Sequence, residues 1–440
     1  MPLSFGEKLL SAGADINAGE GKNIYLLMSA LFFLLITAYL LKPVREMLIL
    51  TQGGSEVRSY AVALQAGLLI LLLPIYGICV RKFESRKFMI GIALFFSTNL
   101  FFFYLWGITG HTSSIPFFIW LGAFGILMVS QFWAFASQIY GKQAGERLFA
   151  LVAVGAGLGS WVGAASSRFL VTHFSANEII LISIVTLLIS IAFAANVKGN
   201  DAAHVIDNDI ENADPVSYWS GFALVAKSQY LFLIAIFVIL MNWGNSTGEY
   251  LLSVVVEGFY DHGIAAGTMG DSKATYIGKF YSEFYLWVNL VAVIFQFFIV
   301  SRLIKKVGFN WAFIITPILV MLGYGVLAFF PIVAFFKVIK IAENGLDYSL
   351  QNTTRQILFL PTSRREKYEA RAVIDTVCWR IGDLLQAASI FIGLHLLNIL
   401  PRHFVWLNVV LAACMIILGV FIGKIYQSKK NNSVINDHNT

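Results

Sequence analysis

Charge is what this sequence of 440 residues has least of. Only 13% of its residues are Asp, Glu, Lys or Arg, about half the share in a typical soluble domain. Hydrophobic residues make up 58%, and the mean hydropathy is +0.74. A soluble chain of this length has too little polar surface to cover that much apolar material. The composition therefore predicts an all-α polytopic membrane protein.

Cysteine and histidine are also scarce. The three cysteines, Cys79, Cys378 and Cys414, lie in apolar segments without metal-ligand spacing, so no disulfide framework or metal site is indicated. The seven histidines form no His-x-x-x-His pair, and no nucleophile lies at a readable spacing from a base. We therefore expect no enzyme and no cofactor. The net charge of +6 needs no nucleic-acid partner, because membrane proteins carry excess Lys and Arg on cytosolic loops.

Twelve apolar runs reach the length of about 20 residues that a bilayer-spanning helix needs. They cover residues 24–50, 60–80, 88–106, 115–140, 147–171, 178–196, 229–255, 280–302, 311–330, 332–360, 370–395 and 403–424. Between the sixth and seventh runs lies KGNDAAHVIDNDIENADPVS, an acidic and polar stretch typical of a linker. The sequence thus predicts two six-helix halves, residues 1–197 and 229–440, joined by an acidic linker at 198–228.

The two halves share a weak internal repeat. ERLFALVAVGAGLG in the fifth run and EARAVIDTVCWRIG in the eleventh start 223 residues apart. A similar offset relates the basic segments VRKFESRK and SRLIKKVG. Parallel repeats of this kind are typical of major facilitator transporters, in which the substrate site lies near the midplane between the halves.

Basic residues gather in every second loop. The loops after the second, fourth, eighth and tenth runs hold Arg81, Lys82, Arg86, Lys87, Lys142, Arg147, Arg302, Lys305, Lys306, Arg364, Arg365, Lys367 and Arg371. The opposite loops carry few, Arg58 among them. Since cytosolic loops carry the excess of Lys and Arg, we expect both termini and the linker to be cytosolic and the protein to lie in the inner membrane.

Ionisable side chains inside the apolar runs are the strongest functional signal. Each costs about 2.5–3.5 kcal/mol at the bilayer centre, so it is expected to face the bundle interior or a watery cavity. They include Lys42, Arg45 and Glu46 around Pro43, and further along Arg147, Glu249, Asp347, Arg355, Asp375, Arg380 and Asp383. Arginines in such a cavity favour an anionic substrate, because the guanidinium group binds phosphate or carboxylate in bidentate geometry.

Helical spacing predicts how these charges pair. Residues three or four apart lie on one helix face. The predicted pairs are Lys42–Glu46, Arg371–Asp375 and Arg380–Asp383. Arg45 is expected to point away from Glu46, and Pro43 to kink the helix. For Lys340, extension of the side chain to the membrane interface is the preferred interpretation.

Small residues recur in the fifth run. Gly155, Gly159 and Gly163 are each four residues apart, which allows close contact with a second helix. Tight packing is the simplest interpretation, and the same smooth face suits sliding during alternating access. The segment lacks the Lys-Ser or Lys-Thr of a phosphate-binding loop.

Five segments carry a family resemblance. KPVREMLILT (42–51) is followed closely by GGSE, and FWAFASQI (132–139) precedes RLFALVAVGAGLG (147–159). YSLQNTTRQILFLP (348–361) precedes ID (374–375) and RIG (380–382). In this order they resemble the first, fourth, fifth, tenth and eleventh helices of the ATP/ADP translocases of plastids and obligate intracellular bacteria.

The resemblance implies a nucleotide transporter that exchanges ATP and ADP by alternating access. The expected partners are a small-molecule anionic substrate and membrane lipid, with no nucleic acid. We expect a monomer. The residues implied in substrate binding are Lys42, Arg45, Arg147, Arg355 and Arg380. Those implied in coupling or switching are Glu46, Glu249, Asp347, Asp375 and Asp383.

One departure from the family favours a different substrate. Asp383 stands where the translocases have a basic residue, and an acid there repels a nucleotide triphosphate of about four negative charges. A proton-coupled transporter of another organic or phosphorylated anion is therefore the main alternative, with Glu46, Glu249, Asp347 or Asp383 carrying the proton. A membrane assembly or sensor protein that transports nothing is a second alternative.

Overall fold

The computed structural model describes residues 20–111, 113–140, 142–197, 218–330, 333–363 and 365–438. Most of the predicted acidic linker, residues 198–217, lies outside this part of the chain. The remainder of that linker begins a helix, Tyr218–Lys227, rather than continuing as a polar connection. Gly221 of this helix packs closely against the main chain at Glu369, and Ser220 hydrogen-bonds the Glu369 carboxylate.

The chain before the linker forms six helices. They are α1 (Gly21–Gln52), α2 (Gly54–Lys82), α3 (Ser85–Ile108), α4 (Ser114–Ile139), α5 (Lys142–His173) and α6 (Ala176–Ala195). The start of α6 shows why a polar residue can begin an apolar helix. Ser175 accepts a hydrogen bond from the Glu178 N–H, and the Glu178 carboxylate accepts one from the Ser175 N–H at 2.7 Å. Two backbone donors that the helix leaves unpaired are involved in this capping box.

Within the described residues, nine further α-helical segments follow residue 217. They are α7 (Tyr218–Lys227), α8 (Gln229–Ala265), α9 (Lys273–Ile294), α10 (Val300–Phe329), α11 (Val333–Leu346), α12 (Asn352–Leu358), α13 (Arg371–Val373), α14 (Trp379–Phe391) and α15 (Phe404–His438). Five short π-helical segments interrupt them, at Phe295–Ile299, Asp347–Gln351, Glu366–Ala370, Ile374–Cys378 and Ile392–Leu396. Such segments widen the helix locally and often occur at functional sites.

Within the described residues, ten helical stretches are long and apolar enough to cross a membrane. One of them, Lys273–Phe329, runs over 57 residues, too long for a single crossing. It bends at Gly308, whose φ of 80° is in the left-handed region that glycine adopts without strain. The tenth predicted run, which holds α11 and α12, is not among the ten and carries several charges. The all-helical, multi-pass architecture is thus confirmed, while the count of twelve stays a prediction.

The chain divides into two compact units. The N-terminal unit comprises the described parts of Met1–Gln52, Leu71–Ala213 and Gly270–Leu286, and the C-terminal unit those of Gly53–Ile70, Asp214–Met269 and Trp287–Thr440. In the N-terminal unit, α1 packs against α4, α5 and α6. In the C-terminal unit, α8 packs against α14 and α15, and α15 also packs against α10. Residues 54–70 of α2 and residues 273–286 of α9 are therefore assigned to a different unit from the rest of their own helix.

Large apolar side chains cover the outside of the helices. Leu71 is 69% exposed, Ile78 is 67% exposed and Phe297 is 66% exposed. Extended apolar surfaces of this kind are rare on proteins that live in water. They fit contact with lipid. The polar side chains that are buried instead are therefore the first candidates for function.

Candidate functional site

The charges of α1 surround Pro43 inside an unbroken helix. Because proline has no N–H, the Tyr39 carbonyl one turn earlier loses its usual helical partner. The side chain of Glu46 is fully buried and pairs with Arg45, whose Nε lies 3.0 Å from Glu46 Oε1. The predicted Lys42–Glu46 pair is therefore wrong. The long arginine side chain folds back onto its neighbour in sequence, which helical spacing does not anticipate.

Aromatic rings surround the two cations of α1. The Lys42 ammonium lies 3.8 Å from the centre of the Tyr39 ring and 5.3 Å from that of Tyr285. The Arg45 guanidinium lies 4.5 Å above Phe118, and its Nη2 is 3.5 Å from the Tyr285 hydroxyl. Cation–π contacts of this kind strengthen when water is excluded. Among the described residues, Lys42 has these rings for neighbours and no acid.

Sequence reasoning missed these rings. Tyr39 precedes Lys42 by three residues, so the helical spacing that was applied to charges would also have found it. Tyr285 and Phe118 come from α9 and α4, and no local pattern connects them with α1.

Arg147 lies far from this aromatic cluster. Its Nη2 contacts both carboxylate oxygens of Glu20, at 3.1 and 3.5 Å. Glu20 precedes Arg45 by 25 positions, which corresponds to roughly 37 Å along a helix. The structure thus places Arg147 at the start of α1 and Arg45 near its end.

The three glycines of α5 lie directly on α1. A Cβ atom at Gly159 would lie 2.9 Å from Phe32 Cα, and one at Gly163 would lie 2.9 Å from Ile36 Cα. A Cβ at Gly155 would lie well within van der Waals contact distance of the Met28 carbonyl oxygen, so it would clash with it. These contacts involve main chain, which cannot move aside as a side chain does. The two helices therefore approach as closely as their backbones permit.

A network of four charges lies inside the C-terminal unit. Arg58 Nη2 is 3.3 Å from Glu249 Oε2, and Lys340 Nζ is 3.7 Å from Glu249 Oε1 and 3.2 Å from Glu343 Oε1. The Lys340 side chain is fully buried, and that of Arg58 is 5% exposed. The interpretation of Lys340 as reaching the membrane interface is wrong, and so is the placement of Arg58 in an external loop.

Neutral polar groups complete this network. Lys340 donates to Asn245 Oδ1 at 2.7 Å, and Asn344 donates to Glu249 Oε1 at 2.9 Å. The Tyr324 hydroxyl donates to Glu343 Oε2 at 2.9 Å. Two cations thus face two acids, with the remaining lone pairs engaged. A buried ion pair contributes little net stability unless such additional hydrogen bonds are present.

The predicted Arg380–Asp383 pair is confirmed. Arg380 Nη1 lies 2.9 Å from Asp383 Oδ2, and Asp383 Oδ1 accepts hydrogen bonds of 2.7 Å from Asn242 and Ser246. Asp383 is 4% exposed. Its charge is therefore balanced by a partner on its own helix, and the acid is not a free repulsive group. Electrostatic repulsion of a nucleotide by Asp383, the main argument against such a substrate, loses its force.

The Arg371–Asp375 pair is also confirmed, with Nε 3.2 Å from Oδ2. These two side chains are 39% and 38% exposed, however. The pair lies on the surface of its unit and shares no contact with the Arg380–Asp383 pair in the described structure.

These two pairs predict effects of different size for the same substitution. We expect Asp383→Ala to lower the free energy of unfolding by about 3–5 kcal/mol, because it leaves a buried arginine unpaired. Asp375→Ala removes the same group from an exposed pair and should cost at most about 1 kcal/mol. Thermal unfolding of the purified variants in detergent measures both. Equal melting temperatures for the two variants would contradict the buried role of Asp383.

Arg355 lies on α12 and has a different environment from that of the Arg380–Asp383 pair. Its guanidinium lies 4.8 Å from the centre of the Trp379 ring, and its Nε has no hydrogen-bond partner among the described residues. Of the five residues predicted to bind substrate, Arg45, Arg147 and Arg380 pair with acids, whereas Lys42 and Arg355 contact rings. No group of His, Cys, Asp or Glu in the described ranges is arranged to hold a metal ion.

Similar proteins support a relation to nucleotide carriers. The chain is 22% identical over 311 residues to ADP,ATP carrier protein 1 of Chlamydia pneumoniae, covering 60% of this chain and 58% of that protein. It is 20% identical over 458 residues to ADP,ATP carrier protein 5 of Rickettsia felis, covering 86% and 88%. The match to the chlamydial protein therefore spans little more than half of that relative. No family model matches the chain.

Solved transporter structures share the fold. A variant of the nucleoside transporter NupG superposes with a TM-score of 0.68 at 14% identity, over 91% of this chain and 99% of that one. The D-xylose-proton symporter superposes with a TM-score of 0.60 at 14% identity, over 91% and 96%. These likenesses establish the major facilitator-type fold. Together with the motifs, they identify the chain as a multi-pass transporter-type membrane protein and a divergent relative of the ADP,ATP carrier proteins.

Proposed function

We propose that the protein is a secondary transporter that exchanges nucleotides of the ATP and ADP type. The observation that carries this proposal is the environment of Lys42 and Arg355. Each is a cation in an apolar part of the chain that contacts aromatic rings and no acid within the described residues. Lys42 has no acid within ion-pair distance, and Arg355 has only the more distant charge of Asp347. A cation without a direct ion pair is costly in such a place unless an anion binds there for part of the working cycle.

The aromatic contacts suit reversible binding of phosphate. A ring fixes the position of a cation without occupying its hydrogen-bond donors. Phosphate oxygens then bind without displacing a carboxylate, and charge-assisted hydrogen bonds of this type are the strong ones. We therefore propose Lys42 as a phosphate contact within the N-terminal unit and Arg355 as one within the C-terminal unit.

The paired arginines receive a supporting role. The Arg45 and Arg380 side chains, each paired with an acid, are both 16% exposed. We propose that they add donors to the substrate while Glu46 and Asp383 fix their orientation. Arg147, Glu249, Asp347 and Asp375 remain proposed as binding or switch residues, and the ion pair of Arg147 with Glu20 suits a switch between two states.

Exchange in liposomes tests the proposal. Purified protein is reconstituted in liposomes loaded with unlabelled ADP, and labelled ATP is added outside. We expect uptake that requires internal ADP and that is abolished by excess external ADP. Liposomes without protein, and protein liposomes loaded with buffer alone, are the controls.

Two other outcomes would redirect the assignment. Uptake of a phosphorylated or carboxylated anion that a pH gradient drives without counter-substrate would favour the proton-coupled alternative. No nucleotide uptake by protein whose folded state and insertion are verified would overturn the nucleotide assignment.

A further inference from the structure

Two tryptophans of the C-terminal unit lie where α8 meets α14. Trp243 lies within α8, and Trp379 is the first residue of α14, directly after the π-helical segment Ile374–Cys378. The Asn242 side chain donates a hydrogen bond of 2.7 Å to the Trp379 carbonyl, so the turn that carries Trp243 is held against the turn that carries Trp379. Both tryptophans are partly exposed and thus accessible to a ligand.

The approach of these two helices is close. Gly382 has no side chain, and a Cβ atom there would lie 2.8 Å from the Ile239 carbonyl oxygen and 2.9 Å from the Trp243 amide nitrogen. Further along α8, Ser246 donates to Asp383 Oδ1 at 2.7 Å. Residues 239, 243 and 246 are spaced by four and three, so they lie on one face of α8. The Trp243 side chain therefore projects from the face of α8 that packs against α14.

Two hydrogen-bond donors in this part of the C-terminal unit lack partners. The indole Nε1 of Trp243 is buried and has no hydrogen-bond partner among the described residues, and the same holds for Arg355 Nε. The Arg355 guanidinium lies 4.8 Å from the centre of the Trp379 ring. A buried indole N–H usually finds an acceptor. Two such donors therefore indicate a ligand that supplies acceptor atoms.

The aromatic surface narrows the class of ligand. An anion bound by Arg355 lies next to the Trp379 ring, because the guanidinium contacts that ring. Inorganic phosphate or a small carboxylate has acceptor atoms but no flat face. A nucleobase has both, since it stacks on aromatic side chains and its ring nitrogens accept hydrogen bonds. A purine covers more of an indole ring than a pyrimidine does, and it therefore gains more from stacking.

We propose that Trp379 stacks against the base of the nucleotide whose phosphate Arg355 binds, and that Trp243 donates its indole N–H to a ring nitrogen of that base. This inference rests on the proposed exchange of nucleotides. It adds to that proposal a site for the base within the C-terminal unit and a preference for purine over pyrimidine nucleotides.

Equilibrium binding to the purified full-length protein in detergent tests the site. Isothermal titration calorimetry compares ATP, CTP and inorganic tripolyphosphate. ATP and CTP carry the same phosphates, so a difference between them reports the base alone. We expect the wild type to bind ATP about 10-fold more tightly than CTP. Tripolyphosphate has no base and reports the phosphate contacts.

Variants localise the preference. Trp379→Ala should weaken ATP binding about 10-fold and leave tripolyphosphate binding within about two-fold of the wild type. Trp243→Phe keeps an aromatic ring and removes the donor, so it should weaken ATP binding about 5-fold. Arg355→Gln should weaken both ligands. Trp311→Ala makes the same change at a side chain of α10 that is 63% exposed, and it should bind every ligand like the wild type.

The outcomes separate this site from nucleotide exchange itself. Equal affinities of the wild type for ATP and CTP, or an unchanged ATP affinity in the folded Trp379→Ala variant, would overturn the base site and leave exchange standing. If Trp379→Ala does not fold, Trp379→Leu keeps the apolar volume and should lose the same preference for ATP. An unchanged ATP affinity in Trp243→Phe would overturn the role of its indole N–H. A folded wild type that binds neither ATP nor CTP would overturn the exchange proposal as well.

Discussion

Lys42→Gln and Arg355→Gln are each expected to lower nucleotide exchange at least about 10-fold, since a hydrogen bond to a charged group contributes about 1.5–3 kcal/mol. Both cations contact rings and form no direct ion pair, and Arg355 interacts with the Asp347 carboxylate only at longer range, so removing either charge breaks no close ion pair. The folded protein should therefore persist, and the loss should appear in transport. Initial rates of labelled ATP uptake into ADP-loaded liposomes measure it.

Lys305→Gln is the matched control. Lys305 is exposed, and the substitution removes the same positive charge from the chain without touching either cation. Its exchange rate should stay within about two-fold of the wild type, as for surface changes in general. Wild-type rates in both Lys42→Gln and Arg355→Gln would disprove the assignment of the phosphate contacts.

Gly159→Ala is expected to destabilise the fold by about 1–3 kcal/mol, and Gly159→Leu by more, because overpacking forces backbones apart. The added methyl group would meet the Phe32 main chain, with Cα at 2.9 Å. Thermal unfolding in detergent and the yield of folded protein both report the effect. The melting temperature should fall in the order wild type, alanine, leucine.

Gly125→Ala provides the comparison for this series. Gly125 lies within α4 in the same unit, and a Cβ atom there would have nothing within 4 Å. Alanine is the better helix former by about 1 kcal/mol, so this variant should be as stable as the wild type or more so. A Gly159→Ala variant as stable as Gly125→Ala would contradict the close approach of α1 and α5.

Sequence patterns predicted the features that depend on spacing along the chain, namely helices and ion pairs within one helix. Apolar runs gave the helices, and intervals of three or four residues gave the Arg371–Asp375 and Arg380–Asp383 pairs. The same rule predicted a Lys42–Glu46 pair, which is wrong because the long side chain of Arg45 reaches Glu46 instead. Backbone geometry does not specify where such a side chain ends. Position on a helix face limits which residues meet, but rotamers decide which of them do.

Long-range contacts could not be read from the sequence. Lys340, Glu249 and Arg58 come from three helices that are distant in the chain. Tyr285 reaches Lys42 and Arg45 from a helix more than 200 positions later. Only the fold brings these groups together, which is why Lys340 resembled an interfacial residue in the sequence and is fully buried in the structure.

The contact between α1 and α5 also determines which of its residues can be replaced. Arg147 meets Glu20, Gly155 meets Met28, Gly159 meets Phe32 and Gly163 meets Ile36, a constant interval of 127 positions. The glycines touch main chain, which every amino acid possesses. We therefore expect replacement of Met28 or Phe32 to cost less stability than replacement of the glycines that face them.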